Sequence, residues 1–362
     1  MAQQLFLLLI ALQLTLFSRF PGFCKAAQVP AFFVIGDSLV DPGNNNYIVT
    51  IAKSNFPPYG MQFDTRMPTG RFTNGRTSAD WLAALLGLPL PPAFLDPSLT
   101  AVNYLQGVNF ASAGCGIIDA TGNIFVGRVP LSEQVTQLAK VKQQIAGVIG
   151  PGAAENLIAS SIVATIVGSN DYINNYLFKA TKEAKLPPKQ FQDLLIATYA
   201  EQVKRLYDIG VRKLIAFNIP PIGCIPRSLA FYGSKNGECI QFVNDFAINF
   251  NKEFKPLIQK LRKTLSGLEI VHTDSYKEVT TIYNNPSNFG FTFNSIACCG
   301  KGRYNGLIQC LPHFPSCRDY DQRIFFDSFH TTARANNIVA NFTYFGGQEF
   351  NDPISVQQLA SL

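Results

Sequence analysis

Histidine is scarce: 362 residues contain only His272, His313 and His330. Any chemistry that needs an imidazole is therefore confined to three positions. Charge is thin as well, at 15%, against 47% hydrophobic residues with 30 phenylalanines. That balance excludes a disordered chain and a coiled coil, and is enough to bury a large core. The net charge of +6 is dispersed, with no block of lysine and arginine longer than two. Mild attraction to anionic surfaces follows, but not nucleic-acid binding. No repeat and no linker-like stretch interrupts the chain, so residues 28–362 are expected to form one domain.

Residues 5–17 are an apolar stretch of 13, short of the ~20 that span a bilayer. Small residues at Ala26 and Ala27 follow. The pattern is that of a secretory signal peptide over residues 1–27, removed on export, with no stable membrane insertion afterwards. Cleavage would take Cys24 and leave seven cysteines, an odd number. In an oxidising compartment three intramolecular disulfides and one free thiol are expected. Cys115, in a glycine-rich apolar stretch, is the candidate free thiol, and Cys224 with Cys239 is a plausible local pair. Cys298, Cys299, Cys310, His313 and Cys317 invite a zinc reading. Zinc sites want spacings such as Cys-x2-Cys, which adjacent Cys298 and Cys299 do not supply, so no metal is expected. The sequon Asn341-Phe342-Thr343 agrees with export and predicts a surface glycan on Asn341.

Short apolar runs predict strands at 32–35, 104–111, 160–167, 213–219 and 268–272. Helical periods fall between them, at 77–86, 131–148, 191–206 and 242–261. Strands alternating with helices indicate an α/β fold with a mainly parallel sheet. Residues 284–320, rich in Gly, Pro, Asn and Cys, read as a stapled loop.

In such sheets ligands bind beyond the carboxyl ends of the strands. Ser38 follows the first strand across the break Gly36-Asp37, where a serine can act as a nucleophile or merely cap a turn. Of the three histidines, His330 stands apart, because Asp327 precedes it by three residues. A carboxylate at that spacing can reach the imidazole Nδ1, fix its tautomer and support its charged form. His272 at a strand end and His313 among cysteines have ordinary packing explanations. No Gly-x-Ser-x-Gly occurs, so a nucleophile elbow of the α/β-hydrolase kind is not indicated.

Four stretches occur in a fixed order: Gly36-Asp37-Ser38-Leu39, VNFASAGCG at 108–116, Gly168-Ser169-Asn170-Asp171-Tyr172, and Asp327-x-x-His330. Their order resembles the four blocks of the GDSL esterase/lipase family, and the likeness to its plant secreted branch covers nearly all of residues 28–362. It includes PPIGCIPR at 220–227 and Cys298-Cys299-Gly300. The resemblance implies a flavodoxin-like three-layer α/β/α sandwich around a mainly parallel five-stranded sheet, extracellular and without a cofactor. It implies Ser38 as nucleophile, His330 as base and Asp327 as its orienter. An oxyanion hole would come from the Ser38 and Gly114 amides and the Asn170 side chain. The substrate would be a lipid or other acyl ester. Acyl transfer to an alcohol at the same site, or an inactive carbohydrate- or lipid-binding relative, are the alternatives. Phe326 stands where that branch commonly has tryptophan and Thr331 where it commonly has proline, the second a change expected to loosen the His330 loop.

Overall fold

The computed structural model describes residues 27–362, so all but the last residue of the expected leader, Cys24 included, lies outside the described residues. Four of the apolar runs become strands β1 (Phe32–Gly36), β2 (Ile162–Ile166), β3 (Lys213–Phe217) and β4 (Glu269–Thr273), parallel neighbours in that order. Strands covered on both faces read as hydrophobic segments, as β1 and β2, buried throughout, do and as β3 and β4 do at Leu214–Phe217 and Ile270–Val271. A fifth strand, β5 (Asn351–Asp352), lies antiparallel beside β4.

Side chains alternate across the sheet and divide its apolar residues between two layers of helices. Phe33, Ile35, Val163, Leu214 and Ile270 pack against α2 (Leu131–Ile149), α4 (Pro188–Ile209) and α6 (Gln241–Thr264). Phe32, Val34, Ile162, Ile215 and Val271 pack against α1 (Ser78–Leu85), α8 (Ala333–Phe345) and α9 (Val356–Ser361). The result is the three-layer α/β/α arrangement. Shorter helices α3 (Pro151–Ser160), α5 (Pro226–Phe231) and α7 (Ser275–Asn284) complete the described elements, with several one-turn helices in the connections. Thr77 and Asp80 form a reciprocal cap at the start of α1. Asp80 also pairs with buried Arg71 at 2.7 Å, and Arg71 Nη1 donates to the Pro42 carbonyl, which ties this helix end to the loop after β1.

The expected strand at 104–111 is not one. Residues Ala101–Gln106 form a 3-10 turn, and Asn109 makes only isolated bridges to Val34 and Ala93. Gly107 turns the chain at φ 109°, where a Cβ would meet the Phe32 carbonyl, and Asn109 Nδ2 donates to the Val40 carbonyl. The segment still tracks the edge of β1: Val34 N donates to Val108 O and Phe110 N to Val34 O. The fifth place in the sheet is taken by β5 instead.

Among the described residues, no helix is long and apolar enough to cross a membrane. Disulfides join Cys224 to Cys239, Cys298 to Cys317 and Cys299 to Cys310, and Cys115 is a buried thiol. The last two bonds are nested and staple the 284–320 loop, and the zinc reading fails because its four cysteines are paired with one another. Alkylation of the processed protein in denaturant without reductant should label one cysteine, Cys115. Peptide mass spectrometry that found label on any of the other six would contradict the pairing.

Candidate active site

β1 ends at the carboxyl edge of the sheet, and Gly36 lets the next residues turn tightly. A Cβ there would lie 2.6 Å from the Ile166 carbonyl of the neighbouring strand. The Gly36 peptide is held by the Gln134 side chain, which accepts from its N–H at 2.8 Å and donates to its carbonyl at 3.0 Å. Ser38 follows, half-buried, and His330 comes to it from a loop 292 residues later. His330 Nε2 lies 2.7 Å from Ser38 Oγ, and Nδ1 lies 2.8 and 2.9 Å from the two carboxylate oxygens of Asp327.

Asp327 Oδ1 also accepts from the backbone N–H of Phe329 and His330, and Oδ2 accepts from the Tyr59 hydroxyl at 2.7 Å. Complete burial pushes this carboxyl up, but the His330 charge, its hydrogen bond and the Tyr59 bond outweigh burial and hold it below the usual range. It therefore stands ionised, with both oxygens accepting hydrogen bonds. The His330 loop is pinned: Phe326 N donates to the His330 carbonyl, Thr73 Oγ1 to the Thr331 carbonyl, and Thr331 Oγ1 to Asn336 Oδ1. Thr331 is thus held by hydrogen bonds at both its carbonyl and its hydroxyl.

Ser38, Gly114, Asn170 and His330 line one cavity of about 160 Å³, together with Phe72, Phe125, Ile173 and Ile222. Gly114 adopts φ 87°, and a Cβ there would strike the Phe125 ring at 2.5 Å, so the position demands glycine. Asn170 follows β2. Its Nδ2 donates to the Cys115 carbonyl at 2.9 Å and its Oδ1 accepts from Asn174, and it makes no side-chain cap to the turn that it opens. One amide hydrogen of Asn170 remains for a ligand. Such a constellation can activate a hydroxyl and surround a developing negative charge with donors.

Four further residues build the site: Asp41, Asn45 and Tyr59, which no motif marks, and Asp171, which stands within the third block but with no role expected of it there. Asp41 accepts from the amides of Gly43 and Asn44 with one oxygen and of Ala113 with the other. Asp171 accepts from Ile117, Ile118 and the Thr121 hydroxyl. Asn45 bonds the Ala113 carbonyl and the Ser112 hydroxyl. Tyr59 reaches Asp327 across the fold. His272 is buried in β4, as its packing explanation has it, while His313 is exposed, so packing does not account for it; both lie apart from the cavity. Asn341 is half-buried in α8, its Nδ2 donating to Asn337, and Thr343 is buried against Glu278.

Burial raises the carboxyls of Asp37 to about 7 and of Asp41 and Asp171 to about 6, and lifts Glu278 well above its ordinary value. In each case the folded protein keeps a proton that the unfolded chain releases near pH 4, so stability falls as pH rises from there towards 7. Burial lowers His272 to about 4, which acts in the opposite sense between that pH and 6.5. Four carboxyls outweigh one imidazole. Below the ordinary carboxylate range the depressed Asp327 and Asp80 lose their contribution as they protonate. Tm should therefore be higher at pH 5 than at pH 7.5, a difference scanning calorimetry can read; a rise across that interval would reject these assignments.

The sequence model of the family described as GDSL-like Lipase/Acylhydrolase matches residues 32–342. Among curated proteins the chain is 39% identical over 360 residues to GDSL esterase/lipase At1g71250 of Arabidopsis thaliana, covering 99% of this chain and 96% of the relative. It is 41% identical over 338 residues to GDSL esterase/lipase 7 of the same plant, covering 92% of each.

Proposed function

The chain belongs to the GDSL-like lipase/acylhydrolase family and is a carboxylic-ester hydrolase; from that premise we propose that it works through an acyl-enzyme on Ser38. The observation that carries the reading is the continuous line Ser38 Oγ, His330 Nε2, His330 Nδ1 and Asp327, with 2.7 and 2.8 Å between its members. Ser38 Oγ attacks the ester carbonyl carbon while His330 Nε2 takes the hydroxyl proton. The Ser38 and Gly114 amides and the free Asn170 N–H receive the oxyanion. The alcohol leaves with the proton from Nε2, and water, activated by the same imidazole, releases the acid. Asp327 keeps the ring oriented and stabilises its charge, without itself becoming protonated.

The substrate is a lipid or another acyl ester. Exposed apolar side chains at the mouth support this, with Ile51 71% and Ile124 and Phe178 each 47% exposed. Residues 28–362 act as one catalytic unit in an extracellular protein, a reading supported by the leader-like sequence and the three disulfides. Glycosylation of Asn341 would precede formation of α8, since the folded asparagine is bonded into the helix.

Ser38→Ala should keep its Tm and lose ester hydrolysis by a factor on the order of 10⁶. A folded variant with activity near wild type would reject Ser38 as nucleophile. Asn170→Ala should lower kcat by ~10²–10³ as a lost oxyanion donor, with roughly 1 kcal/mol of stability lost with the bond to Cys115. Unchanged kcat per folded molecule would make Asn170 a structural tie only.

A further inference from the structure

A second apolar cavity lies behind the first. Leu39, Ser169, Pro220, Ile225 and Phe329 are common to both linings and form the wall between them. Beyond the wall the second cavity, about 80 Å³, is lined by Ile166 and Phe217 at the strand ends and by the half-buried Val279 of α7 and Val339 of α8. Its larger polar neighbours are already paired. Asn218 bonds Asp274 and the Tyr276 amide, and Asn336 bonds Thr331 and the Arg76 carbonyl. They offer a ligand little beyond carbon surface. Leu39 and Phe329 flank Ser38 and His330 in sequence, so the wall stands directly beside the reacting atoms.

We propose that the two cavities form one acyl-binding site, with the acyl chain bonded at Ser38 running past Leu39 and Phe329 to end between Val279 and Val339. The proposal rests on the acyl-enzyme reading above and names its acyl group: an aliphatic chain of medium length. An apolar cavity of roughly 150 Å³ accommodates a six-carbon ring. On that scale the first cavity, about 160 Å³, holds about six carbons and the second, about 80 Å³, half as many more, roughly nine in all. Small side-chain movements in the wall would join the two volumes. Short acyl groups would fill only the first, and chains well beyond ten carbons would meet the strand ends.

The test uses Val279→Phe, which narrows the far cavity from α7 and leaves Ser38, His330, Asp327, Gly114 and Asn170 untouched. Val339→Phe does the same from α8 and serves if the first variant fails to fold. The readout is the ratio of kcat/KM for 4-nitrophenyl decanoate to that for 4-nitrophenyl butyrate. In wild type the ratio should exceed one. In either folded variant it should fall at least ~10-fold, since each methylene refused by an apolar pocket is worth about that factor or more. An unchanged ratio in the folded variants overturns the proposal. Binding of radiolabelled decanoate, measured on wild type, Ser38→Ala and the Val279→Phe protein, separates this result from the mechanism. Wild type and Ser38→Ala should bind it, and Val279→Phe at least ~10-fold more weakly. Equal affinity in all three overturns the acyl site, whereas hydrolysis that survives Ser38→Ala overturns the nucleophile instead.

Discussion

A carboxylate taken out of water must find donors for its oxygens, and that demand shapes the loops around Ser38. Asp41 and Asp171 are both completely buried, one just after the serine and one just after Asn170. Between them they collect the amides of Ala113, Ile117 and Ile118 and the Thr121 hydroxyl. The segment that bears Gly114 has no regular structure of its own, so its backbone groups depend on side chains for satisfaction. The two aspartates bond it at Ala113 and at Ile117 to Thr121, and Asn45 bonds Ser112 and the Ala113 carbonyl. Three loops from separate places in the chain are thereby locked at one edge of the sheet.

The same residue type plays a different part in Asp327. Asp41 and Asp171 accept from neutral donors and are raised by burial, whereas Asp327 faces the imidazole and is held ionised. Environment, not chemical identity, separates the two roles. Asp37 shows the third case. It stands beside Ser38, buried, with Oδ2 lacking a partner, and burial leaves it near neutrality.

The sheet supplies the rigid base on which this polar network is hung. Its four parallel strands are short and buried on both sides, so their ends are set by packing against helices on each face. Chain segments leaving their carboxyl edge carry Ser38, Asn170 and the Pro220-Pro221 corner to the same cavity. The loop that leads to His330 is tied to the stapled segment by Cys298 N and Cys299 N, which donate to the Phe325 and Phe326 carbonyls. Phe326 is fully buried in the same cluster as these cysteines and Tyr59.

What could be read from the order of residues alone was whatever depends on near neighbours. The four parallel strands announce themselves as apolar runs of the right length, the long helices by their period, and the Asp327–His330 pair by its spacing. Ser38 is legible as a residue at a strand end, and the Cys224–Cys239 bond as a short loop. The tertiary structure decided the rest, because it turns on partners far apart in the chain. Tyr59 meets Asp327 across 268 positions and Asp41 meets Ala113 across 72, and no local pattern records either contact. The 104–111 run has the composition of a strand, yet Gly107 and the Asn109 side chain divert it once β1 and Val40 are in place. Composition decides that a segment is buried; which backbone groups find partners there is settled only when the neighbouring chain arrives.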